Sequence, residues 1–116
     1  PLTSATRGMI NAKSLATMKS GAVLVNVARG KLVVENDLIA ALEAKRLSGY
    51  ATDVTETEPL PTESKLWELP NVIITPHVSG SSDQQDERSR LVVVENLRRY
   101  AAGEPLLNVV DIARGY

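Results

Sequence analysis

Along the chain, apolar runs typical of strands alternate with stretches in which apolar residues recur at helical spacing. Residues 22–27 are almost continuously apolar, a pattern typical of a strand covered on both faces in a parallel sheet. Two further strands are predicted at Gly49–Val54 and from Asn71 onward, where Pro76 ends the run. The order of these elements predicts an α/β domain, because helical crossovers make successive strands parallel.

Helical spacing occurs in three places. Residues 4–19 predict one or two short helices with Asn11 as an N-terminal cap, and a second helix begins at Glu35 and is predicted to stop at Gly49. Ser82–Ala102 predicts a long amphipathic helix that Gly103 ends. The side chains predicted to form its exposed i,i+4 ion pairs are Asp86 with Arg90 and Glu95 with Arg99.

Composition is typical of an ordinary globular protein. The 116 residues are 43% hydrophobic and carry a formal net charge of -1, and 13 basic residues without a basic run predict no nucleic-acid partner. No apolar stretch is long enough to cross a bilayer, so no membrane partner is expected. The absence of cysteine and the single histidine predict no metal site, and a cysteine-free chain is typical of a cytoplasmic protein.

Chemically distinctive side chains follow each predicted strand. Arg29 follows the first strand, Asp53 and Glu58 follow the second, and His77, the single histidine, follows the third. Each has an ordinary explanation as a turn, cap or surface residue when it is taken alone. Because the carboxyl ends of parallel strands share the edge where open α/β sheets bind ligands, the set together predicts an acid/base site with an anion clamp.

These residue types suit the reduction of a carbonyl next to an acid group. The guanidinium of Arg29 matches a carboxylate with two parallel hydrogen bonds. His77 titrates near neutrality and can donate a proton to a ketone oxygen, and a carboxylate such as Glu58 would orient its ring and favour its protonated form. Reduction also needs a hydride carrier, which these side chains do not supply.

A serine hydrolase is the competing enzyme class, because three serines follow His77 closely. They are Ser79, Ser81 and Ser82. The sequence contains no Gly-x-Ser-x-Gly nucleophile elbow, which disfavours this interpretation.

Five segments carry a family resemblance. In chain order they are PLTSATRGMIN, GAVLVNVARGKLV, ATDVTETEPLP, LWELPNVIITPHVSGSS and ENLRRYAAGEPLLNVV. They are similar to the carboxyl-terminal part of the D-isomer-specific 2-hydroxyacid dehydrogenases, and the resemblance extends over practically the whole chain. The resemblance implies the second half of a Rossmann-type doubly wound parallel sheet with a returning C-terminal helix. Residues 1–81 would be a partial NAD(P)-binding domain, and residues 82–116 a crossing helix and tail toward a missing substrate domain.

The same resemblance implies roles for individual residues. Arg29 would bind and orient the 2-oxo acid, His77 would be the general acid/base, and Glu58 would pair with it. Asp53 would contact the nicotinamide end of the cofactor. The other residues implied to line the cofactor pocket, together with Arg29 and His77, are Val27, Ala28, Ser79 and Gly80.

The implied function is hydride transfer between NAD or NADP and a small 2-oxo or D-2-hydroxy acid, in a full-length protein that is a homodimer. Thr55 replaces the family's usual aromatic residue, as in members similar to glyoxylate and hydroxypyruvate reductases. Pro1 in place of methionine and the missing Gly-x-Gly-x-x-Gly turn indicate a piece of a longer polypeptide, and leave the choice between NAD and NADP open. The alternative is a non-catalytic, NAD(H)-sensing dimerisation module, as in transcriptional corepressors that resemble this family.

Overall fold

A three-stranded parallel sheet organises the first part of the chain. Its strands are β1 (Ala22–Asn26), β2 (Leu47–Thr52) and β3 (Val72–Ile74), and they lie side by side in chain order. The computed structural model describes residues 1–116, which divide into two compact units, Pro1–Ser79 and Gly80–Tyr116. The parallel sheet with its helices confirms the predicted α/β class and is the arrangement of a Rossmann-type domain.

Strand register brings the carboxyl ends of β1 and β2 level with each other. Asn26 is the partner of Thr52, and Thr52 is in turn the partner of Ile74 on β3. The loops that follow the three strands therefore leave the sheet at one edge, where the predicted site residues lie.

Two helices pack on one face of this sheet. Helix α1 (Ala12–Thr17) begins at Asn11, whose side chain accepts a hydrogen bond from the backbone N–H of Ser14 at 3.3 Å, so the predicted cap is confirmed. Helix α2 (Glu35–Glu43) buries three apolar side chains against the sheet. The core residues of this unit are Leu15, Val33, Leu38, Ile39, Leu42, Leu47, Tyr50 and Leu66.

The prediction that Gly49 stops α2 is wrong. The helix ends at Glu43, because Lys45 adopts a left-handed conformation with φ 56° and the backbone N–H of Arg46 donates to the carbonyl of Ala41 at 2.9 Å. This is the hydrogen-bond pattern of a Schellman C-terminal cap, with lysine in the position that glycine usually takes. Gly49 lies inside β2 and pairs with Val23.

The cover that the apolar pattern of β1 predicts for both faces is present on only one face within this chain. Val23 and Val25 are 61% and 59% exposed, and Ile73 on β3 is 66% exposed. Only the face that α1 and α2 cover is buried. The continuous apolar pattern therefore indicates more cover than residues 1–79 supply.

The second unit contains helix α3 (Gln85–Ala102), which begins three residues later than predicted. Gly103, with φ 67°, ends it as predicted. The Glu95–Arg99 ion pair is confirmed at 2.8 Å, whereas Arg90 pairs with Glu87 rather than with Asp86. Hydrogen bonds from Arg98 and then Arg99 lower the pKa of Glu95 to about 2, so this carboxylate is ionised at neutral pH.

The predicted apolar stripe of α3 is exposed. Its residues Leu91, Val94 and Leu97 are each more than half exposed, and no side chain of the helix is buried. None of the helices combines the length and the apolar character that crossing a membrane requires.

Candidate active site

A histidine–carboxylate pair lies beyond the carboxyl ends of β2 and β3. The Nδ1 atom of His77 is 2.9 Å from Oε2 of Glu58, and both side chains are nearly half exposed. The backbone N–H of Thr55 donates to the other oxygen of Glu58 at 3.1 Å. The hydrogen bond with His77 is the largest cause that lowers the pKa of Glu58, and the hydrogen bond from Thr55 is the next largest. The pair therefore carries a negative charge on Glu58 and leaves Nε2 of His77 available to a substrate.

Arg29 faces the same cavity as this pair. It follows β1, and its Nη1 donates to the backbone carbonyl of Ala28 at 2.7 Å. Arg29, Glu58 and His77 together line a cavity of about 280 Å³, although Arg29 makes no hydrogen bond to the other two. The three side chains with predicted catalytic roles are thus brought together around one space.

Lys31 and Leu2 also line this cavity, and the sequence analysis did not select either of them. Lys31 lies two residues after Arg29 in the segment ARGK, and this proximity is the feature of the sequence that could have indicated its place in the cavity. It adds a second cation to the wall of the cavity, and Glu56 adds a second carboxylate.

Asp53 is the most deeply buried of the predicted site residues, with 4% of its surface exposed. Its Oδ2 accepts a hydrogen bond from the backbone N–H of Ser79 at 2.7 Å, while its buried Oδ1 has no partner. Hydrogen bonding with Ser79 lowers the pKa of Asp53. A buried carboxylate oxygen without a donor is unfavourable, so Oδ1 is suited to accept an N–H from a ligand. The carboxamide of a nicotinamide offers such a donor.

The other residues predicted to line a cofactor pocket lie in three places. Val27 and Ala28 belong to the exposed loop that leads from β1 to Arg29, and the N–H of Ala28 donates to the side chain of Asn26 at 3.2 Å. Ser79 contacts Asp53 as described above. Gly80 is the first residue of the second unit.

A larger cavity of about 560 Å³ adjoins the Glu58–His77 pair and has mainly apolar walls. Asp53 lines it as well, together with Leu60 and Trp67. The indole Nε1 of Trp67 donates to the carbonyl of Pro61 at 2.9 Å, which fixes the plane of the ring. Neither Leu60 nor Trp67 was selected from the sequence, where single apolar residues in a polar connection give no signal for a site.

A family model described as "D-isomer specific 2-hydroxyacid dehydrogenase, NAD binding domain" matches residues 1–79. The chain belongs to this family. The predicted resemblance is therefore confirmed, and so is the predicted class of cofactor, a nicotinamide dinucleotide, since the matched region is the family's NAD binding domain.

Solved structures of this family are similar along the whole chain. A D-isomer specific 2-hydroxyacid dehydrogenase from Xanthobacter autotrophicus Py2, in complex with NADPH and MES, is 47% identical with a TM-score of 0.91. An NADPH-dependent glyoxylate/hydroxypyruvate reductase from Sinorhizobium meliloti, in complex with NADP and sulfate, is 41% identical with a TM-score of 0.88. The chain is fully covered in both comparisons, and it spans 47% and 38% of these two proteins.

A curated relative leads to the same family. Glyoxylate/hydroxypyruvate reductase A of Klebsiella pneumoniae strain 342 is 41% identical over all 116 residues, which are 36% of its length. The chain thus spans about a third to a half of the length of the relatives that it matches.

Proposed function

We propose that this chain works as the carboxyl-terminal part of an oxidoreductase that interconverts a small 2-oxo acid and the corresponding D-2-hydroxy acid. The observation that carries the proposal is the cavity that Arg29 shares with the hydrogen-bonded Glu58–His77 pair. An anion clamp and a proton donor on one small cavity match the two ends of a 2-oxo acid. Family membership supplies the reaction class.

In this mechanism each side chain acts on a different part of the substrate. The guanidinium of Arg29 binds the carboxylate, and Nε2 of His77 donates a proton to the carbonyl oxygen as that oxygen becomes a hydroxyl. Glu58 orients the imidazole and stabilises its charged form. Asp53 would hold the carboxamide of the nicotinamide through Oδ1. A bound nicotinamide dinucleotide supplies the hydride that the carbonyl carbon receives.

We propose glyoxylate and hydroxypyruvate as the substrates and NADPH as the preferred reductant. The names of the Sinorhizobium and Klebsiella relatives support these substrates, and the NADPH dependence of the Sinorhizobium enzyme supports the reductant. Thr55 in place of the usual aromatic residue agrees with this choice. The test is turnover of each acid by the full-length protein with NADPH and with NADH. A folded protein that binds the cofactor but turns over neither acid would contradict the proposal and favour the non-catalytic dimerisation module.

The open apolar surfaces lead to a proposal about the rest of the full-length polypeptide. Val23, Val25 and Ile73 form an exposed apolar face on the sheet, and surfaces of this kind are usually covered in a stable protein. We propose that the preceding part of the nucleotide-binding domain covers this face. We also propose that the full-length protein is a homodimer, as the family resemblance implies.

Residues 1–116 alone are expected to bind a nicotinamide cofactor negligibly. The chain contains no Gly-x-Gly-x-x-Gly turn, so it lacks the backbone N–H groups that cradle the pyrophosphate in this fold. Isothermal titration calorimetry of the isolated chain with NADPH and with NADH is the measurement, with the full-length protein as the control. Micromolar binding by the isolated chain would contradict this prediction.

Replacing Glu58 with glutamine is expected to move the alkaline limb of the kcat/KM profile for 2-oxo acid reduction to lower pH. The carboxylate of Glu58 lies 2.9 Å from Nδ1 of His77, close enough to attract the positive charge of an imidazolium. Reduction requires that proton, so activity falls as pH rises and the proton is lost. Glutamine keeps the size of the side chain and removes its charge, so the proton is lost at lower pH and the limb moves down.

The matched control is Glu63→Gln, because Glu63 lies in the same connection and does not line the cavity of Arg29 and His77. Its profile should coincide with that of the wild type. Coinciding profiles for the Glu58 and Glu63 variants would show that Glu58 does not tune the proton donor.

A further inference from the structure

Asn26, at the end of β1, closes the loop that presents Arg29. Its side chain is 6% exposed, its Nδ2 donates to the backbone carbonyl of Arg29 at 3.0 Å, and its Oδ1 accepts from the N–H of Ala28 at 3.2 Å. Both the donor and the acceptor of this buried amide therefore form hydrogen bonds with the backbone of a single loop. The backbone at Arg29 is fixed to the end of the strand by these two bonds rather than by the arginine side chain itself.

The end of β1 is also tied to the loop after β2. The hydroxyl of Thr52 lies 2.9 Å from the carbonyl of Asn26 and 2.6 Å from the carbonyl of Val54, and it accepts from the N–H of Val54 at 3.1 Å. Thr52 is buried, so no water competes for these contacts. The two loops that carry Arg29 and Glu58 thus start from a shared hydrogen-bonded base.

Gly30 brings the two loops into direct backbone contact. A Cβ atom at this position would lie 1.9 Å from the carbonyl oxygen of Thr55 and 2.6 Å from the backbone nitrogen of Glu56. Both are backbone atoms, which have no rotamer by which to move aside. Any residue larger than glycine must push the loops apart by about 1.5 Å, from 1.9 Å to the 3.4 Å at which ordinary contacts begin.

Thr55, which approaches Gly30, also holds the carboxylate of Glu58. The carbonyl oxygen of Thr55 lies against Gly30. The N–H of Thr55 donates to Glu58, and Glu58 is in turn hydrogen-bonded to His77. A continuous series of contacts therefore runs from the backbone beside Arg29 to the imidazole. A shift at Gly30 changes the distance between the anion clamp and the proton donor.

We infer that Asn26 and Gly30 are positioning residues that set the separation between Arg29 and the Glu58–His77 pair, and so match the cavity to a carboxylate next to a carbonyl. The inference rests on the proposed function and deepens it, because the spacing of these two groups defines a 2-oxo acid. Neither residue touches the substrate in this account. Asn26 and Gly30 act through Arg29 and Glu58.

The main test is Gly30→Ala in the full-length protein. Because a displacement of about 1 Å in a catalytic arrangement can cost about 100-fold in rate, kcat/KM for glyoxylate should fall by about that factor while the Kd for NADPH stays within a few-fold. The matched control is Gly49→Ala, whose Cβ would lie 3.3 Å from the carbonyl of Asn71 and 3.8 Å from Cγ2 of Val23, so its neighbours need to move by only a few tenths of an ångström. That variant should retain nearly all of its activity.

A second variant and a double-mutant cycle keep the test decisive if Gly30→Ala folds poorly. Asn26→Asp keeps the size of the side chain and its acceptor and removes the donor to Arg29, so it should lower kcat/KM in the same direction. If Asn26 and Gly30 act through Arg29, either substitution should lower kcat/KM by less than about 10-fold in a protein that already carries Arg29→Lys. Full additivity with Arg29→Lys would overturn the inference.

A crystal structure of the Gly30→Ala variant separates this inference from the proposed function. It should show the Gly30 and Thr55 backbones about 1.5 Å further apart than in the wild type, the difference between 1.9 Å and an ordinary contact of 3.4 Å. Unchanged positions would overturn the positioning role whatever the activity. An inactive wild-type protein with the expected displacement would instead contradict the proposed function alone.

Discussion

Replacing His77 with alanine in the full-length protein is expected to lower kcat/KM for 2-oxo acid reduction by about 100- to 10,000-fold, the range typical of general acid catalysis. The chain has one histidine, and its Nδ1 is engaged by Glu58 at 2.9 Å. Alanine removes the only imidazole that can protonate the carbonyl oxygen at this cavity. Steady-state kinetics in both directions, with the Kd for NADPH measured by fluorescence, are the measurements.

Cofactor affinity should change little in this variant, because the alanine removes a proton donor and leaves Asp53 bonded to Ser79. Lys65→Ala is a suitable control, since Lys65 is exposed and pairs only with Glu43 away from the cavity. Its kcat/KM should stay within two-fold or so of the wild type, as is usual for a surface substitution. A His77→Ala protein that is folded and nearly as active as the control would remove His77 from the mechanism.

Replacing Arg29 with lysine is expected to raise KM and lower kcat together, with a loss of about 100-fold or more in kcat/KM. Lysine keeps the positive charge but offers a point charge in place of a planar fork, so the carboxylate is no longer bound with two parallel hydrogen bonds. The carbonyl is then poorly aligned with His77. Kinetics with glyoxylate, and inhibition by a carboxylate such as oxamate, measure both effects.

The matched control for this substitution is Arg90→Lys on α3, where the arginine forms an exposed ion pair with Glu87 at 2.7 Å. Such a pair contributes little to stability, so this variant should behave as the wild type. If Arg29→Lys were equally benign, Arg29 would be an ordinary turn residue, and the cavity would lack its anion clamp.

The local features of this protein could be predicted from its sequence because they depend on residues a few positions apart. Asn11 caps α1 through Ser14, three residues away, and Gly103 ends α3 by its own left-handed conformation. The α/β order of strands and helices follows from periodicity in the same way. The family motifs, too, lie in short segments, so Arg29, Glu58 and His77 could be predicted from the sequence, whereas Lys31, Leu60 and Trp67 could not.

Where two local signals compete, the sequence was ambiguous. Gly49 looked like a helix stop, but Lys45 ends α2 four residues earlier and leaves Gly49 in β2. Likewise, a continuous apolar strand does not reveal whether its second cover is present, and Val23 and Val25 are exposed here. The end of α2 is set by the conformation of Lys45, whereas the exposure of Val23 and Val25 depends on what packs against the strand.

The tertiary structure alone decided which of the named residues meet. Glu58 and His77 are 19 positions apart, and Asp53 and Ser79 are 26 apart, so their contacts depend on the register that brings the ends of β1, β2 and β3 level. The approach of Gly30 to Thr55 depends on the same register, and no local pattern marks it. The sequence by itself determined which chemical groups are present and which strand each of them follows. The paths of the loops determined the distances between those groups, because a hydrogen bond requires atoms within about 3 Å and only the packed sheet fixes positions to that precision.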